Sequence, residues 1–186
     1  MRVIAGRWRG TRLIFREKKG VRPSTDRVKE TLFNILSPWI PGARVLDLFA
    51  GTGAWGIEAL SRGCSEVVFV EKSRRVAENL RENLERIGNP PAAQLVVADA
   101  FRFLEQAASE KMQFDLILAD PPYRLQLGSR LLSVLSGKAV LSQEGIFVLK
   151  HGSRETITVP DQLECFREKT FGETKLSFFR HRKEEP

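Results

Sequence analysis

An apolar hexapeptide, Phe114–Ala119, runs into Asp120-Pro121-Pro122-Tyr123, a set of groups suited to holding a planar exocyclic amine while an electrophile is delivered to its nitrogen. The lone pair of such an amine is delocalised into its ring, so the nitrogen is a poor nucleophile until it moves from planar toward tetrahedral geometry. A carboxylate accepting one N–H and a backbone carbonyl accepting the other favour that change. Consecutive prolines have no N–H to donate and fix φ, which leaves carbonyls to accept from a ligand. Asp120 and the Pro121 carbonyl therefore form an acceptor pair. Tyr123 adds a flat face on which a base can stack, worth about 1–3 kcal/mol per base in single-strand binders. Acceptors preorganised toward charge developing on nitrogen lower the barrier to its attack. The same four residues also read as a plain turn after a strand, and the upstream segments decide between the two.

Upstream, Arg44-Val45-Leu46-Asp47-Leu48-Phe49-Ala50-Gly51-Thr52-Gly53 has a buried-strand pattern entering a glycine turn, and Gly56 completes Gly-x-Gly-x-x-Gly. A strand, such a turn and a helix at the carboxyl edge of a parallel sheet hold nucleotide-like ligands, with Gly51 and Gly53 letting the backbone approach closely. No Lys-Ser or Lys-Thr follows the glycines, which argues against a Walker-type phosphate loop. The next strand, Glu66–Val70, ends in Glu71, placed to accept both ribose hydroxyls of an adenosine group. A third, Leu95–Ala98, ends in Asp99 before a helix opening with Ala100-Phe101, where a carboxylate can accept the adenine amine. One acid at a strand end is commonly just solvated. Four of them, at Asp47, Glu71, Asp99 and Asp120, outline a ligand-binding edge.

An alternation of strand and helix must set these ends side by side. The spacing predicts a hairpin over Arg2–Arg16, a linker over Glu17–Arg22 and a helix from Asp26 to Leu36. In that helix Val28, Leu32, Ile35 and Leu36 form the apolar face, and Ser24 or Thr25 caps its start. Strands are expected at 44–49, 66–71, 94–98, 114–119 and 145–150, with helices at 53–61, 73–87, 100–110 and 128–136. Strands Leu163–Thr170 and Lys175–Phe179, joined by a short turn at Phe171–Thr174, should pair antiparallel. Residues 1–40 read as a basic extension and 41–186 as the catalytic domain.

Charge points to the partner. The 186 residues carry +7, and residues 1–30, with ten Lys or Arg against three Asp or Glu, account for all of it. A cationic segment on a neutral body is the footprint of a polyanion binder, although such clusters also occur as solvated faces. Trp8 and Phe15 interleave with the charges and can stack on bases. Met1–Phe15 lacks the apolar stretch of a secretory signal, and no apolar run reaches membrane-spanning length, so a soluble cytoplasmic protein is expected. Cys64 and Cys165 are too far apart for a metal knuckle. Neither follows an active-site strand, as a nucleophile for ring-carbon methylation would, and both are expected to pack. His151, His181 and Trp55 read as bystanders, and no metal is expected.

The segments Ile4-Ala5-Gly6-Arg7-Trp8-Arg9-Gly10, Arg22–Asn34, Asp47–Gly56, Phe69-Val70-Glu71-Lys72 and Asp120–Tyr123 resemble the class I S-adenosylmethionine-dependent methyltransferases. Within them the chain resembles the bacterial ribosomal RNA guanine-N2 methyltransferase D family. That resemblance implies a Rossmann-like α/β fold: a mostly parallel seven-stranded sheet with an antiparallel C-terminal strand, plus the small basic hairpin and helix. It implies S-adenosylmethionine as cofactor and in-line transfer of its methyl to the N2 amine of a guanine in 16S ribosomal RNA. The partner would be that RNA or the small-subunit ribonucleoprotein, and the enzyme a monomer. Asp47, Phe49, Gly51 and Gly53 would lie along the cofactor's methionine side, Glu71 and Lys72 at its ribose, and Asp99 and Ala100 at its adenine. Asp120, Pro121 and Tyr123 would hold the guanine amine. Arg22, Thr25 and Arg27 would border its pocket, while Arg2, Arg7, Arg9 and Arg12 grip phosphates. Lys150 departs from the family, which often has an acid there, so no substrate contact is assigned to that strand end. The residues alone leave adenine N6 and cytosine N4 open as targets. A DNA amino-methyltransferase would need a target-recognition region for which there is no room, and a protein-glutamine methyltransferase favours Asn over Asp at the proline motif. A catalytically silent RNA-binding scaffold stays open.

Overall fold

The central strands have nearly unbroken apolar runs because a parallel sheet is covered on both faces. The computed structural model describes residues 1–15 and 26–183. In chain order these form α1 (Asp26–Leu36), β1 (Arg44–Leu48), α2 (Ala54–Ser61), β2 (Glu66–Glu71), α3 (Arg74–Arg86), β3 (Ala93–Val97) and α4 (Ala100–Ser109). There follow β4 (Phe114–Ala119), α5 (Gly128–Ser136), β5 (Leu141–Gly152), β6 (Leu163–Phe171) and β7 (Thr174–His181). The sheet order is β3-β2-β1-β4-β5-β7-β6, and β7 alone runs against its neighbours. No described helix is long and apolar enough to cross a membrane.

Two-residue alternation sends side chains of one strand into two cores. Val45, Leu116 and Leu118 join Leu32, Phe33, Trp55 and Leu80 on one face; Leu46, Ile117 and Ala119 join Phe103, Leu104, Leu131 and Leu132 on the other. The expected strands and helices are present, most with bounds within one residue, and the larger differences lie in β5, β7 and the turn before β7. β5 starts at Leu141 rather than 145, because Leu141 pairs with Phe114 ahead of a register shift and Ser142 donates to Asp115 at 3.0 Å. β7 continues to His181, which pairs with Leu163. The turn between β6 and β7 contracts to Gly172-Glu173, with Gly172 at φ +59°.

The N-terminal hairpin is antiparallel at Arg2 and Arg12, with Val3 N–H on Thr11 O at 2.9 Å and Leu13 N–H on Met1 O at 3.1 Å. Arg16, the linker and both candidate caps of α1 lie outside the described residues. Val3 and Leu13 are buried in the same core as α1 and α2. Polar contacts fix the docking. Ile4 and Ala5 N–H donate to Glu58 at 2.8 and 3.0 Å, and Arg7 N–H reaches Ser61 O at 2.8 Å. Gly6 sits at φ +83°, where a Cβ would stand 1.8 Å from Ser61 O, so only glycine permits this approach.

Glu58, fully buried on α2, also pairs with Lys29 at 3.1 Å and with Arg62 at 2.8 Å. Lys29 is 1% exposed and donates to the Arg2 carbonyl. Burial lowers its pKa, against the opposing pull of Glu58. One of the ten N-terminal cations is thus an internal strut and not part of the solvent-facing charge.

Asp47 performs a second internal task. Its carboxylate accepts the Gly56 N–H at 2.9 Å, one of the donors that the start of α2 leaves without a helical partner. At Gly56 a Cβ would lie 2.2 Å from Phe69 Cε1, so glycine lets α2 lie tightly on β2. Asp47 is 2% exposed. Burial drives its pKa well above the ordinary 3.8; the Gly56 bond opposes this, and the charges of Asp120 and Glu71 add to it.

Two outcomes follow from these buried groups. A carboxyl that binds its proton more tightly when folded stabilises fully below its unfolded pKa of 3.8, and that contribution is lost as pH rises through the higher folded value. Asp47→Asn keeps an acceptor for Gly56 and removes the buried charge. Denaturant unfolding should therefore find it at least as stable as the parent at neutral pH, with a flatter dependence above pH 3.8; a large loss at neutral pH would contradict the assignment. Glu58→Gln leaves Lys29 without its counter-charge and should cost about 3–5 kcal/mol. An unchanged unfolding midpoint would rule out Glu58 as the hub.

Candidate active site at the carboxyl edge of the sheet

The turn after β1 is shaped by left-handed residues: Phe49 and Gly51 both at φ +58° and Gly53 at φ +78°. For Phe49 that conformation costs about 1–3 kcal/mol and must be held by its surroundings. The holding bonds are Ala50 N–H on Val70 O at 3.0 Å, Gly53 N–H on Ala50 O at 2.8 Å and Gly51 N–H on Glu71 Oε2 at 3.0 Å. The other Glu71 oxygen accepts Ser73 N–H at 2.8 Å. Glu71 thus ties the glycine turn to the start of α3. Because a carboxylate has about four lone-pair directions, it keeps acceptor capacity for a ligand's hydroxyls. At the back of the turn, Asn83 donates to Thr52 O at 2.9 Å and exchanges two bonds with Ile14 of the hairpin, at 2.7 and 3.1 Å.

Asp99 caps α4, accepting from Phe101 and Arg102 N–H at 3.1 and 3.4 Å, and Lys72 Nζ lies 3.2 Å from its other oxygen. Partial burial pushes its pKa up, but the bonds from Lys72, Arg102 and Phe101 prevail and hold it below the ordinary carboxylate value. A cavity of about 760 Å³ opens beside it, bounded by Lys72, Asp99, Phe101, Leu125, Leu127 and Arg130. The Arg130 guanidinium lies 3.8 Å from the Phe101 ring centre. Asp99 and Lys72 were expected here. Ala100 turns its side chain into the core instead, where a first-turn apolar residue of α4 packs. Phe101, Leu125, Leu127 and Arg130 are additions to the sequence reading; Phe101 alone had a signal, its place after Asp99-Ala100. Asp47, expected on the methionine side, spends its carboxylate inward on Gly56.

The amine corner is set by register. Leu48 pairs with Ala119, and Ala119 with Leu149, so Asp120 follows β4 beside the glycine turn and opposite Lys150. Lys150 Nζ is 2.7 Å from Asp120 Oδ2, and the lysine side chain is only 7% exposed. Burial pulls its pKa down, yet the charge and hydrogen bond of Asp120, together with Tyr123, raise it above the ordinary 10.5. The ammonium lies 5.4 Å from the Tyr123 ring centre, and Tyr123 OH shares a hydrogen bond with Thr174 Oγ1 at 3.0 Å. The ring remains 40% exposed. Leu125 N–H takes the Pro122 carbonyl at 3.0 Å, while Pro121 is buried. Beyond Tyr123 lies a second cavity of about 240 Å³ bounded by Gln126, Arg154, Glu155 and Glu173. The strand end left without a site contact in the sequence reading is therefore the direct partner of Asp120.

Of the expected RNA contacts, Arg2, Arg7, Arg9 and Arg12 are exposed on the hairpin and Arg27 on α1, whereas Arg22 and Thr25 lie outside the described residues. Arg2 faces Asp26 at 3.6 Å. Trp8 packs partly against the core under the Arg7 guanidinium, which leaves less of its face for a base than the sequence suggests. Trp55 is buried. Cys64 is buried with its thiol pushed up to about 12 by desolvation. Cys165 is exposed rather than packed, at a register shift of the edge strand β6. His151 is enclosed between strands, 2.8 Å from Ser177 Oγ.

With this geometry in view, the similarities to known proteins are specific. Residues 1–180 match the model of the family described as Conserved hypothetical protein 95. The Ribosomal RNA small subunit methyltransferase D of Escherichia coli is 37% identical over 96% of this chain and 89% of its own. Its Haemophilus influenzae namesake is 35% identical over 92% and 89%. A solved Escherichia coli structure superposes with a TM-score of 0.85 at 35% identity over 97% of both chains. The mostly parallel seven-stranded sheet is that of a Rossmann-like methyltransferase fold. The chain belongs to the Conserved hypothetical protein 95 family.

Proposed function

We propose that this chain transfers a methyl group from S-adenosylmethionine to an exocyclic base amine in small-subunit ribosomal RNA, the N2 amine of a guanine. The observation that carries the reading is the Asp120–Tyr123 corner, one strand away from the glycine turn. The names of the relatives point the same way.

The residues fit the cofactor. Glu71 offers acceptors at the tip of β2, where ribose hydroxyls would lie, and the cavity beside Asp99 and Phe101 offers an acceptor and an aromatic wall for adenine. When bound, the group supplies a methyl on a positively charged sulfur, which is an excellent leaving group. What remains for the chain is alignment, and well-oriented reactants reach effective molarities of about 10⁵ M or more. Asp120 and the Pro121 carbonyl accept the two amine hydrogens and turn the nitrogen lone pair toward the glycine turn. Tyr123 supports the base plane. A paired or stacked base must first be flipped out to reach this corner. The exposed arginines of the hairpin grip phosphates, and the bonds of Asn83 to Ile14 and Thr52 keep that surface in fixed relation to the cofactor turn.

Asp120→Ala should bind S-adenosylhomocysteine as the parent does, by calorimetric titration, and lose methyl transfer. Undiminished turnover would remove Asp120 from the mechanism. Reversing the charges of Arg2, Arg7, Arg9 and Arg12 should lessen the slope of log affinity against log salt, by about 0.7 for each phosphate of single-stranded RNA that is no longer neutralised. An unchanged slope would separate the hairpin from RNA binding.

A further inference from the structure

We propose that Lys150 is a positioning residue that locks the Asp120 carboxylate in its amine-accepting orientation. The inference rests on the reading above and deepens it at one residue. Three acids meet at this edge, and the charges of Asp120 and Glu71 both act on Asp47. A carboxylate added to that group without a counter-charge would swing away from its neighbours. Lys150 supplies the counter-charge from the adjacent strand, where the Ala119–Leu149 register sets it directly across from Asp120.

Its anchoring makes it a positioner and not merely a counterion. The side chain is nearly enclosed, on a strand flanked by β4 and β7, so the ammonium has little freedom to leave the 2.7 Å contact. A charge-assisted bond of this length fixes the carboxylate plane as well as its charge. Tyr123 stands over the same ammonium and is held at its far end by Thr174 of β7. One ammonium therefore sets both the acceptor and the stacking ring. Chemically, the pairing suits amine methylation. The nitrogen gives its lone pair to the new N–C bond as the S–C bond breaks and its electron pair stays on sulfur; one N–H proton then passes by way of Asp120 to water. That proton becomes acidic only once the bond forms, so orientation is what the carboxylate must provide.

Steady-state transfer to small ribosomal subunits tests this with Lys150→Met, Lys150→Arg, Asp120→Asn and the double variant Asp120→Asn/Lys150→Met. For Lys150→Met we expect kcat to fall by about tenfold or more, with KM for RNA and affinity for S-adenosylhomocysteine within about twofold. Lys150→Arg should recover part of kcat, and the double variant should lose no more than Asp120→Asn alone, as expected for residues acting as a unit. Full turnover by Lys150→Met, a loss confined to KM, or additive losses in the double variant would overturn the proposal. If Lys150→Met does not fold, Lys150→Gln takes its place: it should lose kcat while Lys150→Arg retains it, and equal activities would overturn the proposal. Failure of the parent to methylate any RNA would overturn the underlying reading, and this inference with it.

Discussion

Carboxylates placed at the ends of neighbouring parallel strands repel one another, and everything at the active edge depends on how each is answered. Asp47 takes the Gly56 N–H, Glu71 the N–H groups of Gly51 and Ser73, Asp99 those of Phe101 and Arg102 with Lys72, and Asp120 the Lys150 ammonium. Three of the four are met by backbone donors where a turn or helix begins, positions that leave N–H groups without helical partners. The neutralising bonds therefore also build the site. Asp47, Glu71 and Asp99 each fix a turn or helix start along the carboxyl edge of the sheet. Asp120 differs, because prolines follow it and have no N–H to give. The Lys150 ammonium reaches it from the next strand.

A second set of buried polar bonds joins the basic surface to this edge. Glu58 gathers the hairpin backbone, α1 through Lys29, and its own helix through Arg62. Asn83 bonds both the hairpin and the glycine turn. With Val3 and Leu13 buried in the main core, the hairpin is held to the body by packing and by hydrogen bonds together. Its arginines thus face solvent from a base tied to the body of the fold.

Much of this was legible in the residues. The bounds of β2, β4 and α5 agree with their periodicity, and the glycine turn and proline corner announce themselves because they depend on local backbone chemistry. What escaped was set by register or by contacts distant in sequence. Lys150 reads as an ordinary strand-end cation until β5 is aligned with β4. Asp47 reads as one more edge acid until its carboxylate is seen on Gly56. Lys29 counts as surface charge until Glu58 is found beneath it. The wall of the larger cavity draws on α4, α5 and the turn at Tyr123–Leu125, which no local pattern links. Cys165 faces outward for a similar reason, since only the pairing of β6 reveals the bulge beside it.

The central claim is that Asp120 and its neighbours present a nucleobase amine to an activated methyl. Its most direct measurement is nucleoside mass spectrometry on small ribosomal subunits lacking the modification, after incubation with this protein and isotope-labelled S-adenosylmethionine. The account predicts a single labelled product, N2-methylguanosine, in the small-subunit RNA. Label on a ring carbon, on ribose, on protein, or nowhere would contradict it.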